Sequence, residues 1–152
     1  MVIISSDSFD PSIALKEFTS KAKESGAIVS FSGHVRRNSN SRLVKQLYLE
    51  CYSPMTERGI NQAVKDANER WPLESASVIH RIGVILPGEP IVFVATSSAH
   101  RRDAFEAADF LMDYLKTKAV FWKKEMTCEG EFWIEPRLSD YVDAERWSKE
   151  II

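Results

Sequence analysis

Several basic residues lie among residues whose spacing predicts burial in one 29-residue stretch of the sequence, Ser97 to Glu125. His100 and Arg101 open a predicted helix, Lys116 closes it, and a Trp-Lys-Lys-Glu segment follows at 122–125. A buried cation is costly unless an opposite charge or hydrogen bonds compensate it. The pattern therefore predicts a binding site for a small anion.

His100 and Arg101 follow Ser97 and Ser98, at the point where the predicted helix begins. Free N–H groups and the positive end of the helix dipole favour an anion there, and an arginine can add bidentate hydrogen bonds. A phosphate has the matching chemistry. The alternative is that His100 only caps the helix and that Arg101 is an ordinary solvated side chain.

Three of the lysines that follow this helix start could contribute to such a site. Lys116 falls at the edge of the apolar stripe of the helix, so it either stands at the rim of a pocket or extends its amine into solvent. Lys123 and Lys124 are neighbours on a predicted strand and point to opposite faces, the first with Phe121 and the second with Trp122. A binding site and a half-exposed edge strand explain this pair equally well.

Other reactive residue types give weaker signals. His34 and Arg36 share one face of a predicted strand over 27–36, where further arginines in the next loop are also consistent with plain solvation. His80 alternates with apolar residues, which favours a hydrogen-bonded core or interface histidine. Cys51 is predicted to be a small buried hydrophobe.

Hydrophobic periodicity predicts the elements that position these residues. Strands are predicted at 2–5, 27–36, 44–52, 77–82, 91–96, 121–126 and 131–134, and helices at 11–25, 54–71 and 100–116, with a further helix possible within 139–152. The apolar stripe of the third helix comprises Ala104, Phe105, Ala108, Leu111, Met112 and Leu115. The polar loop 37–42 is expected to close a long hairpin between its two flanking strands. Because strands occur in adjacent pairs separated by single helices, the pattern predicts an α+β fold with a mostly antiparallel sheet.

Composition narrows the class of protein. A chain of 152 residues with 44% hydrophobic residues is expected to form one domain over 1–152. The net charge of −2 argues against a nucleic-acid or membrane-surface binder. Cys51 and Cys128 belong to no C-x-x-C or Cys/His pattern, so no metal site is expected. With no signal segment and no long apolar run, a reduced cytoplasmic protein is expected.

Eight short motifs occur in one order between about Gly26 and Arg137. They are Ser32-Gly33-His34-Val35-Arg36, Leu49-Glu50-Cys51-Tyr52-Ser53-Pro54-Met55, Arg70-Trp71-Pro72, Ile79-His80-Arg81-Ile82-Gly83, Ser98-Ala99-His100-Arg101, Ala104-Phe105-Glu106-Ala107, Asp113-Tyr114-Leu115-Lys116 and Phe121-Trp122-Lys123-Lys124-Glu125. In sequence and spacing they resemble the large, catalytic subunit family of molybdopterin synthase. The tail 138–152 lies outside the resemblance and is either a helix or disordered.

The resemblance implies an α/β-hammerhead-type fold with three main helices and an additional small sheet or hairpin subdomain. It also implies a sulfurtransferase of molybdenum cofactor biosynthesis that inserts two sulfur atoms into cyclic pyranopterin monophosphate (precursor Z), giving the dithiolene of molybdopterin. The pterin is the substrate, and no cofactor is expected. The sulfur is expected from the C-terminal Gly-Gly thiocarboxylate of a small ubiquitin-like subunit. This agrees with a chain whose own cysteines form no C-x-x-C motif.

The family motifs also imply functional residues. Lys116 and Lys123 are the implied catalytic lysines, and the implied substrate-binding residues are His34, Val35, Arg36, His100, Arg101, Lys123, Lys124, Glu125 and Arg137. The chain departs from the family pattern at two positions. His34 stands where a lysine is common, which weakens a phosphate contact at neutral pH. Val120 stands where proline is usual, which places the rigidity of the turn between Lys116 and Lys123 in question.

The length of the third helix leads to a further expectation. If the helix is continuous, His100 and Lys116 are separated by ~24 Å, too far for both to contact one small pterin. A homodimer in which one chain completes the pocket of the other satisfies this distance, and two small subunits then make a heterotetramer. The alternative to an enzyme is a non-catalytic anion-binding or partner-scaffolding module of the same fold.

Overall fold

A computed structural model describes residues 1–148, so that the last residues of the predicted tail, 149–152, lie outside the described part. Within it, the helices are α1 (Pro11–Lys21), α2 (Met55–Arg70), α3 (Arg101–Thr117) and α4 (Leu138–Glu145). The strands are β1 (Val2–Ser5), β2 (Ala27–His34), β3 (Asn38–Ser39), β4 (Arg42–Cys51), β5 (Leu73–Arg81), β6 (Gly83–Ile85), β7 (Pro90–Ser98), β8 (Phe121–Thr127) and β9 (Gly130–Ile134).

The first sheet has the strand order β1-β5-β7-β2 and carries helices on both faces. Only the β1–β5 pair is parallel. Apolar side chains of α2 and α3, among them Ile60 and Leu111, pack on one face against Val78 and Val94. On the other face, Phe18 of α1 packs in a separate cluster with strand residues. Strand β2 is at the edge of this sheet, with α3 packed beside it.

The second sheet has the order β3-β4-β8-β9, and the short strand β6 also pairs with β4. Its core is formed by Val35, Val44, Leu47, Leu49 and Ile85. Phe121, at the start of β8, packs against this core and against the larger helix–sheet core. One aromatic residue thus connects the two sheets. The predicted α+β class of hammerhead type, with mostly antiparallel pairing and three main helices, is confirmed.

The predicted hairpin across the 37–42 loop is wrong. Strand β2 pairs with β7, from Ala27 opposite Ser98 to His34 opposite Pro90, whereas β4 pairs with β6 and β8. The tight turn in this region instead joins β3 to β4, where Asn40 and Ser41 both adopt positive φ angles as a two-residue hairpin requires. The alternating pattern of β2 is compatible with any antiparallel partner, so local sequence could not distinguish them.

Helix α4 is fixed to α3 by its C-terminal end. The guanidinium of Arg146 donates to carboxylate oxygens of Asp109 and Asp113 at 2.7 and 2.8 Å, and the indole N–H of Trp147 donates to Asp113 at 2.6 Å. The Trp147 ring also meets Trp71 edge-on. These contacts place the segment that follows β9 beside the C-terminal end of α3. None of the helices within residues 1–148 is long and apolar enough to span a membrane.

Candidate active site

A cavity of about 160 Å³ lies at the C-terminal end of α3 and contains both of the lysines that the motifs imply as catalytic. Lys116 reaches it from the last turn of α3 and Lys123 from β8. Phe121 forms part of the wall, and the remainder includes Pro136, which follows β9, and Tyr141 of α4. The structure therefore brings Lys116 and Lys123 together, although six residues separate them in the sequence.

Lys116 is positioned by the buried stripe of α3. Leu111 and Leu115 are almost fully buried against the core, and Lys116, one position further along the helix, is exposed at the rim of the cavity. The turn that follows is held by hydrogen bonds rather than by a proline. The amide of Ala119 donates to Tyr114 at 3.0 Å, and the Thr56 hydroxyl donates to the carbonyl oxygen of Val120 at 2.7 Å.

Lys123 is half-buried because strand alternation directs it inward, on the same face of β8 as Phe121 and Glu125. Burial, followed by the positive charge of Lys116, lowers the pKa of Lys123 from 10.5 to about 8, and Asp140 opposes this shift. Roughly a quarter of the Lys123 amines are then neutral at pH 7.5, whereas an ordinary lysine is almost fully protonated. The amine can accept and return a proton near neutral pH.

His100 and Arg101 lie at the opposite end of α3. They border a second cavity of about 410 Å³ together with Arg102, Phe105 and Glu106. His100 is the N-cap residue, but its side chain makes no capping hydrogen bond, and both His100 and Arg101 are exposed. Because α3 is continuous from Arg101 to Thr117, ~24 Å of helix separates this cavity from Lys116. The structure does not bring the two groups together within one chain.

An apolar groove of about 500 Å³ runs between the edge strand β2 and α3. Phe31 of β2 and Phe105 of α3 line it and are 44% and 61% exposed. Phe105 also borders the His100 cavity, and the groove ends at Lys116. Phe105 was predicted to belong to the buried stripe of α3, but it faces this groove instead of the sheet. The groove thus connects the two ends of the helix along the surface.

His34, Val35 and Arg36 lie at the end of β2. His34 is exposed, and its ring nitrogens lie 3.1 Å from the Ser32 hydroxyl and 3.3 Å from the Gly88 carbonyl oxygen. Val35 is a core residue of the second sheet, while Arg36 is exposed. At the other end of β2, Ala27 pairs with Ser98, which lies just before α3. His34, Val35 and Arg36 therefore lie at the end of β2 that is remote from His100. None of the three lines the lysine cavity.

Lys124, Glu125 and Arg137 lie next to cavity residues in the sequence but do not line the cavity. Lys124 points to the outer face of β8, where it forms a salt bridge with Glu131. Glu125 is buried on the inner face, two residues beyond Lys123. Arg137 follows Pro136 and caps α4, and its guanidinium lies 3.8 Å from the Asp140 carboxylate. Their roles in substrate binding stay predictions.

Sequence reasoning missed the part of the wall that Glu135, Pro136 and Tyr141 provide, and it missed Asp140. These residues follow the last strand. The pairing of Ile134 with Lys123 brings Glu135 and Pro136 to the cavity, and the packing of α4 on α3 brings Asp140 and Tyr141. Asp140 carried one local signal, because it stands three residues after the α4 N-cap, where acceptor side chains are favoured.

The cysteines lie outside the cavity. Cys51 is half-buried, and burial, followed by the charge of Glu57, raises its thiol pKa, while Cys128 is exposed. A raised pKa reduces the thiolate fraction and therefore the nucleophilicity of Cys51. Among the residues that the structure describes, no group of three or more His, Cys, Asp or Glu side chains is placed to hold a metal ion.

Known proteins are similar to this chain in sequence and in fold. The family model described as MoaE protein matches residues 4–118. The molybdopterin synthase catalytic subunit of Yersinia pestis is 52% identical over 128 residues, which cover 84% of this chain and 85% of the relative. The structure is similar to that of the molybdopterin biosynthesis MoaE protein from Burkholderia ambifaria MC40-6, with a TM-score of 0.82, 39% identity and 99% of each chain covered.

A further solved structure is similar at lower identity. It is a protein–protein complex of subunits 1 and 2 of molybdopterin-converting factor from Helicobacter pylori 26695. The TM-score is 0.76 at 20% identity, over 90% of this chain and 91% of the other. At this identity the likeness concerns the fold alone.

Proposed function

The chain belongs to the MoaE family of molybdopterin synthase catalytic subunits, and from this premise we propose that it inserts two sulfur atoms into precursor Z to form the dithiolene of molybdopterin. The observation that carries the proposal is the convergence of Lys116 and Lys123 on one cavity, with the pKa of Lys123 lowered to about 8. A lysine with this pKa can transfer protons at physiological pH.

The sulfur donor in this proposal is a small ubiquitin-like subunit whose C-terminal Gly-Gly ends in a thiocarboxylate. Two features of the chain support an external donor: Cys51 has a raised thiol pKa, and neither cysteine lines the lysine cavity. A thiocarboxylate is anionic, so the lysine cavity attracts the end of the tail that carries the sulfur. No cofactor is needed for this transfer.

The reaction follows from the charges in the cavity. The thiocarboxylate sulfur attacks an oxygen-bearing carbon of the pterin side chain and forms a carbon–sulfur bond while the acyl group is still attached. The carbon–oxygen bond at that carbon breaks, and its oxygen takes up a proton and leaves as water or stays on the phosphorus as the cyclic phosphate opens. Water then cleaves the bond between the sulfur and the acyl carbon, which leaves the sulfur on the pterin and returns the tail as a carboxylate. The positive charge of Lys116 stabilises the oxyanion that forms at the acyl carbon. Lys123 in its neutral form accepts the proton of the attacking water. A second loaded tail repeats the sequence.

The phosphate of precursor Z is assigned to His100 and Arg101 at the start of α3, where the exposed Arg101 guanidinium, the exposed His100 ring and the N-terminal end of the helix dipole favour an anion. Because ~24 Å of helix separates these residues from Lys116, one small pterin contacts both groups only if they come from two chains. Arg36 and Arg137 are further candidates for contacts with the substrate.

A second copy of the chain is therefore proposed to cover the groove between β2 and α3. One end of the groove is at Lys116, and at the other end Phe105 also borders the His100 cavity. If two chains pack groove to groove about a two-fold axis, the His100 of each chain comes toward the Lys116 of the other. Burial of Phe31 and Phe105 in the interface removes their apolar surface from water. A small subunit at each outer end gives a heterotetramer. The cytoplasmic location stays a prediction.

Reconstitution with defined components tests the proposed activity. The purified chain is mixed with a thiocarboxylated small subunit and precursor Z, and molybdopterin is measured as its stable fluorescent oxidation product. We expect one molybdopterin for every two thiocarboxylates consumed. A control with a small subunit that ends in a carboxylate should give no product. A folded chain that forms the subunit complex but yields no molybdopterin would favour the non-catalytic scaffolding role.

A further inference from the structure

His80 of β5 is a buried imidazole that the reaction above does not use. It is 3% exposed, and its Nδ1 lies 2.9 Å from the carbonyl oxygen of Arg81. Because a carbonyl oxygen can only accept, Nδ1 carries the proton and donates it. Burial lowers the pKa of His80 to about 4, so the ring is neutral near pH 7. The hydrogen bond and the neutral state therefore fix both the tautomer and the orientation of the His80 imidazole.

The imidazole of His80 stacks flat on Phe121. The two ring centroids are 4.0 Å apart and the ring planes differ by 18°. Phe121 lines the lysine cavity, and it also packs against the cores of both sheets. His80 therefore packs against a wall residue of the cavity. Because His80 belongs to the first sheet and Phe121 to the second, this stack is also a contact between the two sheets.

The charged groups near this contact come from several elements. Lys123 on β8 lies close enough for its charge to disfavour a charged His80, and Lys116 on α3 and Asp140 on α4 act on Lys123. The guanidinium of Arg81 turns away and donates to Glu89 and to the Val84 carbonyl. A neutral ring is thus the group that faces Lys123 from β5.

We propose that His80 is a positioning residue of the lysine cavity: its imidazole holds Phe121 in place, and Phe121 in turn keeps water away from the Lys123 amine. A side chain at position 80 that does not support Phe121 lets this ring move and admits water beside Lys123. The ammonium form of Lys123 then becomes more favourable. The inference deepens the proposed function, on which its consequence for turnover rests.

The test reads the titration of Lys123 directly and needs no substrate. The chain is methylated reductively at a series of pH values, and tandem mass spectrometry distinguishes Lys123 from its neighbour Lys124. In the unsubstituted protein we expect half-maximal reactivity near pH 8. In His80→Gln, which retains a hydrogen-bond donor but lacks the ring, we expect the midpoint to rise toward the value of about 10.4 for an exposed lysine.

Three further variants separate positioning from general stability. His80→Phe retains the stacked ring and should titrate like the unsubstituted protein, whereas Phe121→Leu removes the same stack from the other side and should raise the midpoint. Ile79→Ala is the matched control, since this neighbour on β5 packs with the α1 cluster on the opposite face. It should lower the melting temperature and leave the midpoint unchanged.

The inference is overturned if folded His80→Gln retains the midpoint near pH 8, or if Ile79→Ala shifts it equally. Should His80→Gln not fold, an unchanged midpoint in Phe121→Leu overturns the inference in the same way. The readout is separate from the proposed function. Absence of molybdopterin with the expected Lys123 titration would reject the sulfur transfer and leave the positioning role intact.

Discussion

Replacement of Lys123 by methionine should stabilise the folded protein while it abolishes sulfur transfer. The pKa of Lys123 is lowered from 10.5 to about 8, with burial as the main cause. The difference of about 2.5 corresponds to about 3 kcal/mol, at 1.36 kcal/mol for each pKa unit. This is the cost of holding the ammonium in the folded protein at pH 7. Methionine has a similar length and no charge, so Lys123→Met removes this cost.

The sign of the pH dependence follows from the same pKa values. Between pH 8 and 10.5 the unfolded chain binds more protons at Lys123 than the folded protein does, so stability rises with pH in this window. The advantage of Lys123→Met is therefore largest below pH 8 and disappears above 10.5. After allowance for partial exposure, we expect a gain of roughly 2 kcal/mol at pH 7, or an increase in Tm of roughly 4–8 °C.

Thermal and urea unfolding at pH 7, 9 and 10.5 provide the measurement. Lys16→Met is the matched control, because Lys16 is exposed on α1 and the substitution makes the same change of charge. It should change the stability by less than about 0.5 kcal/mol at every pH. The reasoning is refuted if Lys123→Met is no more stable than the unsubstituted protein at pH 7, or if its advantage does not decline with pH.

Three further predictions follow from the site. Lys116→Ala should reduce molybdopterin formation at least about 100-fold while gel filtration still shows the complex with the small subunit; near-normal turnover would remove Lys116 from the mechanism. Phe105→Glu places a charge in the groove and should give monomers in sedimentation experiments, with loss of activity; a stable active dimer would reject this interface. Asp140→Asn removes the negative charge that raises the pKa of Lys123, so the rise of activity with pH should move below pH 8, whereas an unchanged profile contradicts that contact.

Elements with a local signal were predictable. Helix α3 was predicted because its apolar residues recur at helical spacing, and the β8–β9 hairpin was predicted from the turn at Glu129-Gly130, where Gly130 has a positive φ of 127°. Strand alternation also predicted that Lys123 and Lys124 point to opposite faces, as the structure confirms. In each case the residues that determine the local structure are close together in the sequence.

Features that depend on long-range pairing were not predictable. The alternation of β2 does not specify β7 as its partner, and the local sequence of 138–141 does not indicate that α4 packs on α3 and brings Tyr141 to the lysine cavity. Phe105 shows that helical spacing alone also misassigns residues at the edge of an apolar stripe. It lies next to Ala104 in the predicted stripe, but the 100° turn between successive helical residues directs Ala104 into the core and Phe105 into the groove.

The candidate site was predictable from the sequence in part, and in part it depends on long-range packing. The motifs implied Lys116 and Lys123 as catalytic residues, and the structure places them in one cavity. The length of α3 predicted that His100 lies far from this cavity, and the continuous helix agrees. The distance between His100 and Lys116 could be predicted from the length of the helix, but the groove that a second chain can cover is visible only in the structure.

The activity of mixed dimers distinguishes a site shared between two chains from a site within one chain. One chain carries His100→Ala and Arg101→Ala, the other carries Lys116→Ala, and two affinity tags isolate the dimer that contains one of each. If the site is shared, such a dimer has one intact site and one doubly altered site, and we expect about half of the unsubstituted activity, although either variant alone is inactive. Activity no greater than that of the separate variants would contradict the account and place the whole site within one chain.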